Sequence, residues 1–275
     1  MSDSDDVVMF VCGGGAQRAI IESGQDLGVQ TIFLNANEKS TIQLMDGNVP
    51  GSYGDEYLAY ALADDKSDEI SGLMMGKRIV ILFSILGGGS GIGMLRVAAE
   101  CAHREGCSIV SIVGIPWGFE HERRKKAVSV LPEVVSLSDR MIILDIDTIN
   151  RIYPDIRFRH IMNQVANTIS FAVRSIVGLM NGPFFSTFSQ KIYTVAYTSD
   201  LEPSKAVSRA VESSMYDVDP AFAKSVVMIS AGHGSAQVDA IFNTVVSTTG
   251  IIPDIVKRDD REDTKVLTFI PVQDL

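Results

Sequence analysis

The segment Leu86-Gly87-Gly88-Gly89-Ser90-Gly91-Ile92-Gly93 constrains this chain most, because it follows the apolar run Arg78 to Leu86 and precedes the apolar-periodic stretch Gly91 to Arg104. Strand, glycine turn, helix is half of a βαβ unit, and a continuous apolar strand needs cover on both faces of its sheet. Five glycines in seven residues let main-chain amides approach a ligand with no Cβ in the way. The N-terminus of the following helix adds partial positive charge, which makes a phosphate cradle that needs no lysine. For a lone triple glycine, a tight turn with close helix packing is an equal alternative.

The same grammar opens the chain. Val7 to Cys12 is a β-branched run ending in Gly13-Gly14-Gly15, and Ala16 to Ser23 reads as a helix stopped by Gly24. Further strands are expected at Thr31 to Leu34, Ser108 to Ile115 and Met141 to Leu144, with helices at Ser67 to Met75 and Glu120 to Val135. Strands alternating with helices predict a Rossmann-like, doubly wound parallel sheet over residues 1–156. Two glycine loops at the carboxyl edge of one sheet favour a nucleotide. No Gly-Lys-Ser/Thr follows either loop, and the GxGxxG register fails at both. That failure weighs against a dinucleotide-dependent oxidoreductase.

Arg157 to Met180 places Ile161, Val165, Ile169, Ala172, Ile176 and Met180 at steps of three or four, which predicts one long amphipathic helix ended by Asn181-Gly182-Pro183. It makes residues 157–182 a central link to a smaller α/β domain of mixed sheet over 183–275. That domain is expected to carry strands at Ile192 to Thr198, Ser225 to Ser230 and Lys265 to Pro271, and helices at Pro203 to Ser214 and Ser235 to Thr248. Lys257 to Lys265 reads as a solvated, charged turn.

The net charge of −10 argues against a chain that grips nucleic acid or anionic lipid through bulk positive charge. Any anion is then held locally, by amide dipoles and Mg²⁺. Three cysteines without CxxC spacing indicate neither a disulfide framework nor a thiolate zinc site, and four scattered histidines give no metal site. The acidic opening Met1-Ser-Asp-Ser-Asp-Asp lacks a signal peptide's basic start, and no apolar run is long enough to span a bilayer, so a reducing, cytoplasmic setting without membrane insertion is expected.

Gly87 to Gly93 resembles the GGGTGTG/S signature of the tubulin/FtsZ family of GTP-binding cytoskeletal proteins, with Ser90 and Ile92 in the variable places. Val11-Cys12-Gly13-Gly14-Gly15-Ala16-Gln17 resembles that family's first glycine loop, and Asn35-Ala36-Asn37 the stretch after its second strand. Pro116-Trp117-Gly118-Phe119-Glu120-His121-Glu122-Arg123-Arg124 is similar to the FtsZ pattern Pro-Phe-x-Phe-Glu-Gly-x-x-Arg. The resemblance implies GTP or GDP as ligand, with Glu120 and Arg124 at the ribose and neighbouring phosphate; read as bare residues, they are a solvated first helical turn. It also implies Asn167 at the Watson-Crick edge of guanine. The family's second base-reading Asn aligns near Ile146, where Asp147 is the adjacent substitute.

In that family an acidic loop after the central helix reaches the next subunit's nucleotide and orients water. Here the loop, Gly182 to Lys191, has no carboxylate, and Phe188 and Lys191 stand where the acids belong. Gln190 and Lys191 then become candidate γ-phosphate contacts from a neighbouring subunit, and hydrolysis should be slower by about 10²-fold or more. Lys191 simply starting the next strand is the equal alternative. The resemblance implies a homo-oligomer or filament with weak or absent turnover. A non-polymerising regulator, or a co-polymerising partner of an FtsZ/tubulin-like paralogue, is the second reading. The chain's last residues, Lys265 to Leu275, offer no long flexible tail.

Overall fold

The computed structural model describes residues 3–24, 26–36, 40–45, 52, 54–152, 157–179, 188–199, 205, 208–210, 213–219, 224–231, 235–258, 265–273 and 275. In chain order the elements are β1 (Val7–Cys12), α1 (Gly14–Ser23), β2 (Gln30–Asn35), β3 (Ile42–Gln43), α2 (Glu56–Asp64), α3 (Ser67–Met74), β4 (Ile79–Ile85), α4 (Gly89–Arg104), β5 (Ser108–Ile115) and α5 (His121–Leu137). They continue with β6 (Arg140–Asp145), α6 (Thr148–Ile152), α7 (Phe158–Leu179), β7 (Ile192–Ser199), β8 (Val227–Ala231), α8 (Ser235–Thr249), β9 (Asp254–Arg258) and β10 (Lys265–Pro271).

One sheet runs in the order β3-β2-β1-β4-β5-β6-β7-β10-β8-β9. All pairs from β3 to β7 are parallel, whereas β10 runs antiparallel to both β7 and β8. The expected parallel half and mixed half are therefore both present, and the later strands extend the same sheet through β6 and β7. The register sets Cys12 beside Leu34 and Ser84, Ile85 beside Gly114, and Ile115 beside Asp145. Five strand ends, and the loops that leave them, thus share one rim.

Alternation along β1 and β4 fills two cores, one on each face of the sheet. Val7, Met9, Val11, Ile81 and Phe83 face the side covered by α1 and α7, where Ile161, Val165, Ile169 and Ile176 pack as the long periodic pattern requires. Val8, Phe10, Val80 and Leu82 face the other side with Ile92, Leu95 and Ala99 of α4 and Leu131 of α5. Burying each Leu, Ile or Val contributes about 1.5–3 kcal/mol, so both faces are needed to hold so long a sheet.

Several elements differ from those the sequence pattern predicts. Helices α1 and α4 start two residues earlier than expected, at Gly14 and Gly89, while α5 starts one residue later and leaves Glu120 as its N-cap. α2, α6 and β3 were not anticipated. Lys257 and Arg258 are not in a turn; they pair with Ser230 and Ala231 in the ladder of β8 and β9. Half of the expected helix from Pro203 to Ser214 lies outside the described residues, as do Asn37 and residues 182–187 of the loop Gly182 to Lys191.

Candidate nucleotide-binding site

Two helix N-termini meet at the rim. The N-caps of α1 and α4 are Gly13 and Gly88, and neither supplies a side-chain cap. A helix's first amides have no partner within it, so both ends present N–H groups unpaired within the helix and the positive end of a dipole. They are close, because a Cβ built at Gly13 would lie 3.1 Å from the amide nitrogen of Gly91. Gly13 itself has φ +89 and donates its N–H to Leu34 O at 3.0 Å, which fixes the first loop to β2.

The glycines of the second loop divide by what surrounds them. Gly87, with φ +84, takes a left-handed conformation, and a Cβ there would collide with the carbonyl oxygen of Arg123. A Cβ at Gly89 would stand 2.5 Å from Asp55 N, at Gly91 2.5 Å from Ser84 Oγ, and at Gly93 2.5 Å from Glu56 O. Four of the five missing side chains therefore make room for protein. The reading that all five clear a path for a ligand is corrected in cause: only Gly88 faces open space, with Arg123 Nη2 at 4.0 Å as its nearest neighbour. Ser84 Oγ, fully buried behind Gly91, has no hydrogen-bond partner among the described residues.

What Gly89 and Gly93 accommodate is α2, which sequence reasoning missed. Asp55 caps that helix through Oδ1, accepting from Tyr57 N at 2.9 Å and Leu58 N at 3.1 Å. Ser52 Oγ lies 3.0 Å from Ser90 Oγ. Glu56 pairs with Lys126 of α5 at 3.2 Å and Arg96 of α4 at 3.6 Å, and Lys126 Nζ donates to Gly54 O at 3.2 Å. This charge network pins α2 over the loop. The signal was legible as Asp55 followed by Glu56-Tyr57-Leu58-Ala59, an N-cap before a run of good helix formers.

The remaining candidates fall into three groups. Gly14 and Gly15 are exposed on the rim, while Ala16 and Ile92 are buried in the two cores and offer only main chain there. Gln17 and Asn35 are both buried, and Asn35 Nδ2 donates to Gln17 Oε1 at 2.7 Å beside Gly14. The loop after β5 then approaches: Glu120 pairs with Arg123, and Arg124 Nη1 donates to Pro116 O and to Asp145 Oδ1, each at 2.8 Å. Asp145, unmarked in the sequence, accepts from both terminal guanidinium nitrogens of Arg124 and strengthens its protonated form. Asp147 Oδ1 accepts from Gly118 N at 3.1 Å, so that carboxylate already braces the loop. Asn167 is half-buried on α7.

Gln190 and Lys191 are not brought to this rim. Lys191 O accepts from Met141 N at 2.8 Å, at the amino end of β6, whereas the glycine loops leave the carboxyl ends. A six-residue strand separates the two rims by roughly 20 Å. Gln190 N donates to the Tyr193 hydroxyl at 2.8 Å, and Phe188 is buried edge-on against Tyr193 and Phe269. Phe188 is thus core and not a presented group.

The tubulin/FtsZ family GTPase-domain model matches residues 19–154, about half of the chain. The chain belongs to the tubulin/FtsZ family. Its curated relatives include cell division protein FtsZ 2 of Methanocaldococcus jannaschii, 24% identical over 184 residues that cover 62% of this chain and 48% of that protein. The chain spans about half the length of the first curated relatives it matches. The fold matches an empty FtsZ dimer from M. jannaschii with TM-score 0.78 at 22% identity, covering 96% of this chain and 87% of that one. It also matches CetZ from Methanosaeta thermophila with TM-score 0.76 at 18% identity, covering 98% and 87%. The rim sets two helix N-termini side by side, with space at Gly88 and with Gly14 and Gly15 exposed. Among the described residues, no helix is long and apolar enough to cross a membrane, and no three His, Cys, Asp or Glu side chains cluster as a metal site.

Proposed function

We propose that this chain binds GTP or GDP across the first turns of α1 and α4 and stacks head to tail into filaments with weak or absent hydrolysis. The observation that carries this reading is the pair of uncapped, abutting helix N-termini on one rim, with Gln190 and Lys191 at the opposite rim. Within one copy those two residues cannot reach the cradle, whereas a second copy stacked along the strand direction sets them against it. The phosphates are held by the amides of Gly14, Gly15, Gly88, Gly89 and Ser90, and Mg²⁺ is carried by the phosphates. Gln17 and Asn35 line the floor, Glu120 serves the ribose, and Asn167 with Asp147 faces the base. Residues 183–275 act as the activation-type part that supplies the loop to the next subunit.

Hydrolysis needs an oriented and activated water. The loop Gly182 to Lys191 offers hydroxyls, an amide and an ammonium but no carboxylate. Ser, Thr and Gln orient water without taking its proton, and Lys191 instead stabilises phosphate charge. The same composition supports a second reading, in which the chain co-assembles with an acid-bearing paralogue that supplies the missing group. Sedimentation and phosphate release with GTP, GDP and no nucleotide test both. GTP-dependent pelleting with little release is expected; monomeric behaviour in all three conditions removes self-assembly. Release that rises only when the paralogue is added selects the partner reading.

A further inference from the structure

The first turn of α5 carries two adjacent cations, and the structure treats them oppositely. Arg124 is spent on protein. Its guanidinium forks onto the Asp145 carboxylate and onto Pro116 O, and Asp145 is only 11% exposed. Asp145 Oδ1 also accepts from Asp147 N at 3.0 Å, and its own N–H donates to Met215 O, so the carboxylate cannot follow the arginine elsewhere. Withdrawing Arg124 would leave a nearly buried carboxylate without its counter-charge, which is among the costlier changes a protein can undergo. Arg124 is therefore a brace that fastens α5 to the end of β6.

Arg123 is held loosely. Its side chain is 46% exposed, and its one ion pair among the described residues is with Glu120, three residues back on the same helical turn. Exposed pairs of this kind contribute at most about 1 kcal/mol and exchange readily. Its main chain, by contrast, is fixed, because its carbonyl oxygen packs where Gly87 has no side chain. That anchor sets the guanidinium beside Gly88, 4.0 Å from the position a Cβ would take. Gly88 is the uncapped N-cap of α4 and the one glycine of its loop that faces open space.

We infer that Arg123, and not Arg124, is the side-chain cation that binds the nucleotide's phosphates, with Glu120 as its resting partner. When a polyphosphate settles on the amides of α4, the guanidinium exchanges the Glu120 carboxylate for a phosphate oxygen and makes a charge-assisted fork there. The same exchange frees Glu120 for the ribose. Gly87 thereby acquires a purpose beyond the turn: its lack of a side chain brings Arg123 close enough to act. This assignment rests on the nucleotide reading above.

The test is calorimetric titration of GTP into the wild-type chain, Arg123→Gln, Arg123→Lys and Arg124→Gln, with urea unfolding of each. Arg123→Gln should unfold at the wild-type midpoint yet bind GTP about tenfold or more weakly, the loss of one charged hydrogen-bond partner. Arg123→Lys should recover part of the affinity, since it keeps the charge without the fork. Arg124→Gln should lower the unfolding midpoint. Wild-type affinity in Arg123→Gln overturns the assignment, whatever Arg124→Gln does. A wild-type chain that binds no GTP refutes the nucleotide reading itself, and this one with it.

Discussion

Replacing Gly93 with Ala sets two effects of known size against each other. In an open helix the change stabilises by about 1 kcal/mol, because glycine has more chain entropy to lose. In this structure the new methyl would stand 2.5 Å from Glu56 O, 2.7 Å from Tyr60 N and 2.8 Å from Ala59 Cβ. Two of those neighbours are backbone atoms of α2, which no side-chain rotation can move. α2 must shift, and overpacking of this kind costs about 1–3 kcal/mol. The shift would also strain the Lys126–Glu56–Arg96 network and lift Asp55 from Gly89. Packing cancels or outweighs the gain, and a net loss of about 0–2 kcal/mol is expected. Gly72→Ala in α3 is the control, since nothing lies within 4 Å of that site, and it should stabilise by about 0.5–1 kcal/mol. Urea unfolding with an unchanged m-value reads both. A Gly93→Ala variant as stabilised as Gly72→Ala would refute the packing of α2 on the glycine loop.

Two further outcomes follow from the same geometry. Asp55→Ala removes the acceptor for two amides of α2 and should cost about 1 kcal/mol in the same urea assay, with Asp55→Asn losing less. The Cys12 thiol is pushed up to about 12 by burial, from an ordinary 9.0, so the unfolded chain ionises first as pH rises. Stability should accordingly be insensitive to this group below pH 9 and fall by about 1.4 kcal/mol per pH unit above it until about pH 12. Burial raises the thiols of Cys101 and Cys107 and the phenols of Tyr193 and Tyr216 as well, which adds to the alkaline loss. A stability that rises between pH 9 and 11 would contradict this.

The sequence disclosed what repeats and what is periodic. Apolar runs ending in glycine marked β1 and β4 and hence the rim, and the step of three or four through Ile161, Val165 and Ile169 marked α7. It could not disclose partners distant in the chain. That Gly89 and Gly93 are glycines because of Asp55 and Glu56, some 35 residues earlier, is a packing fact with no local trace. The same holds for Asp145, which reads as the unremarkable end of a strand yet removes Arg124 from the pool of free cations. β3 and α6 were missed for a simpler reason, being only two and five residues long, too short for periodicity to show. Lys257 and Arg258 misled through their charge, since a run of charged residues reads as a solvated loop, whereas their main chain pairs in β9, the last strand in the sheet order.

The central claim is that bare amides at the starts of α1 and α4 hold a guanine nucleotide. Denaturing the freshly purified chain and resolving the released small molecules by chromatography tests it most directly. One equivalent of GDP or GTP is the result this account predicts, lost in a variant carrying Val at Gly88, the one glycine of its loop that faces open space. An adenine or nicotinamide nucleotide in its place, or guanine nucleotide retained in full by Gly88→Val, would contradict it.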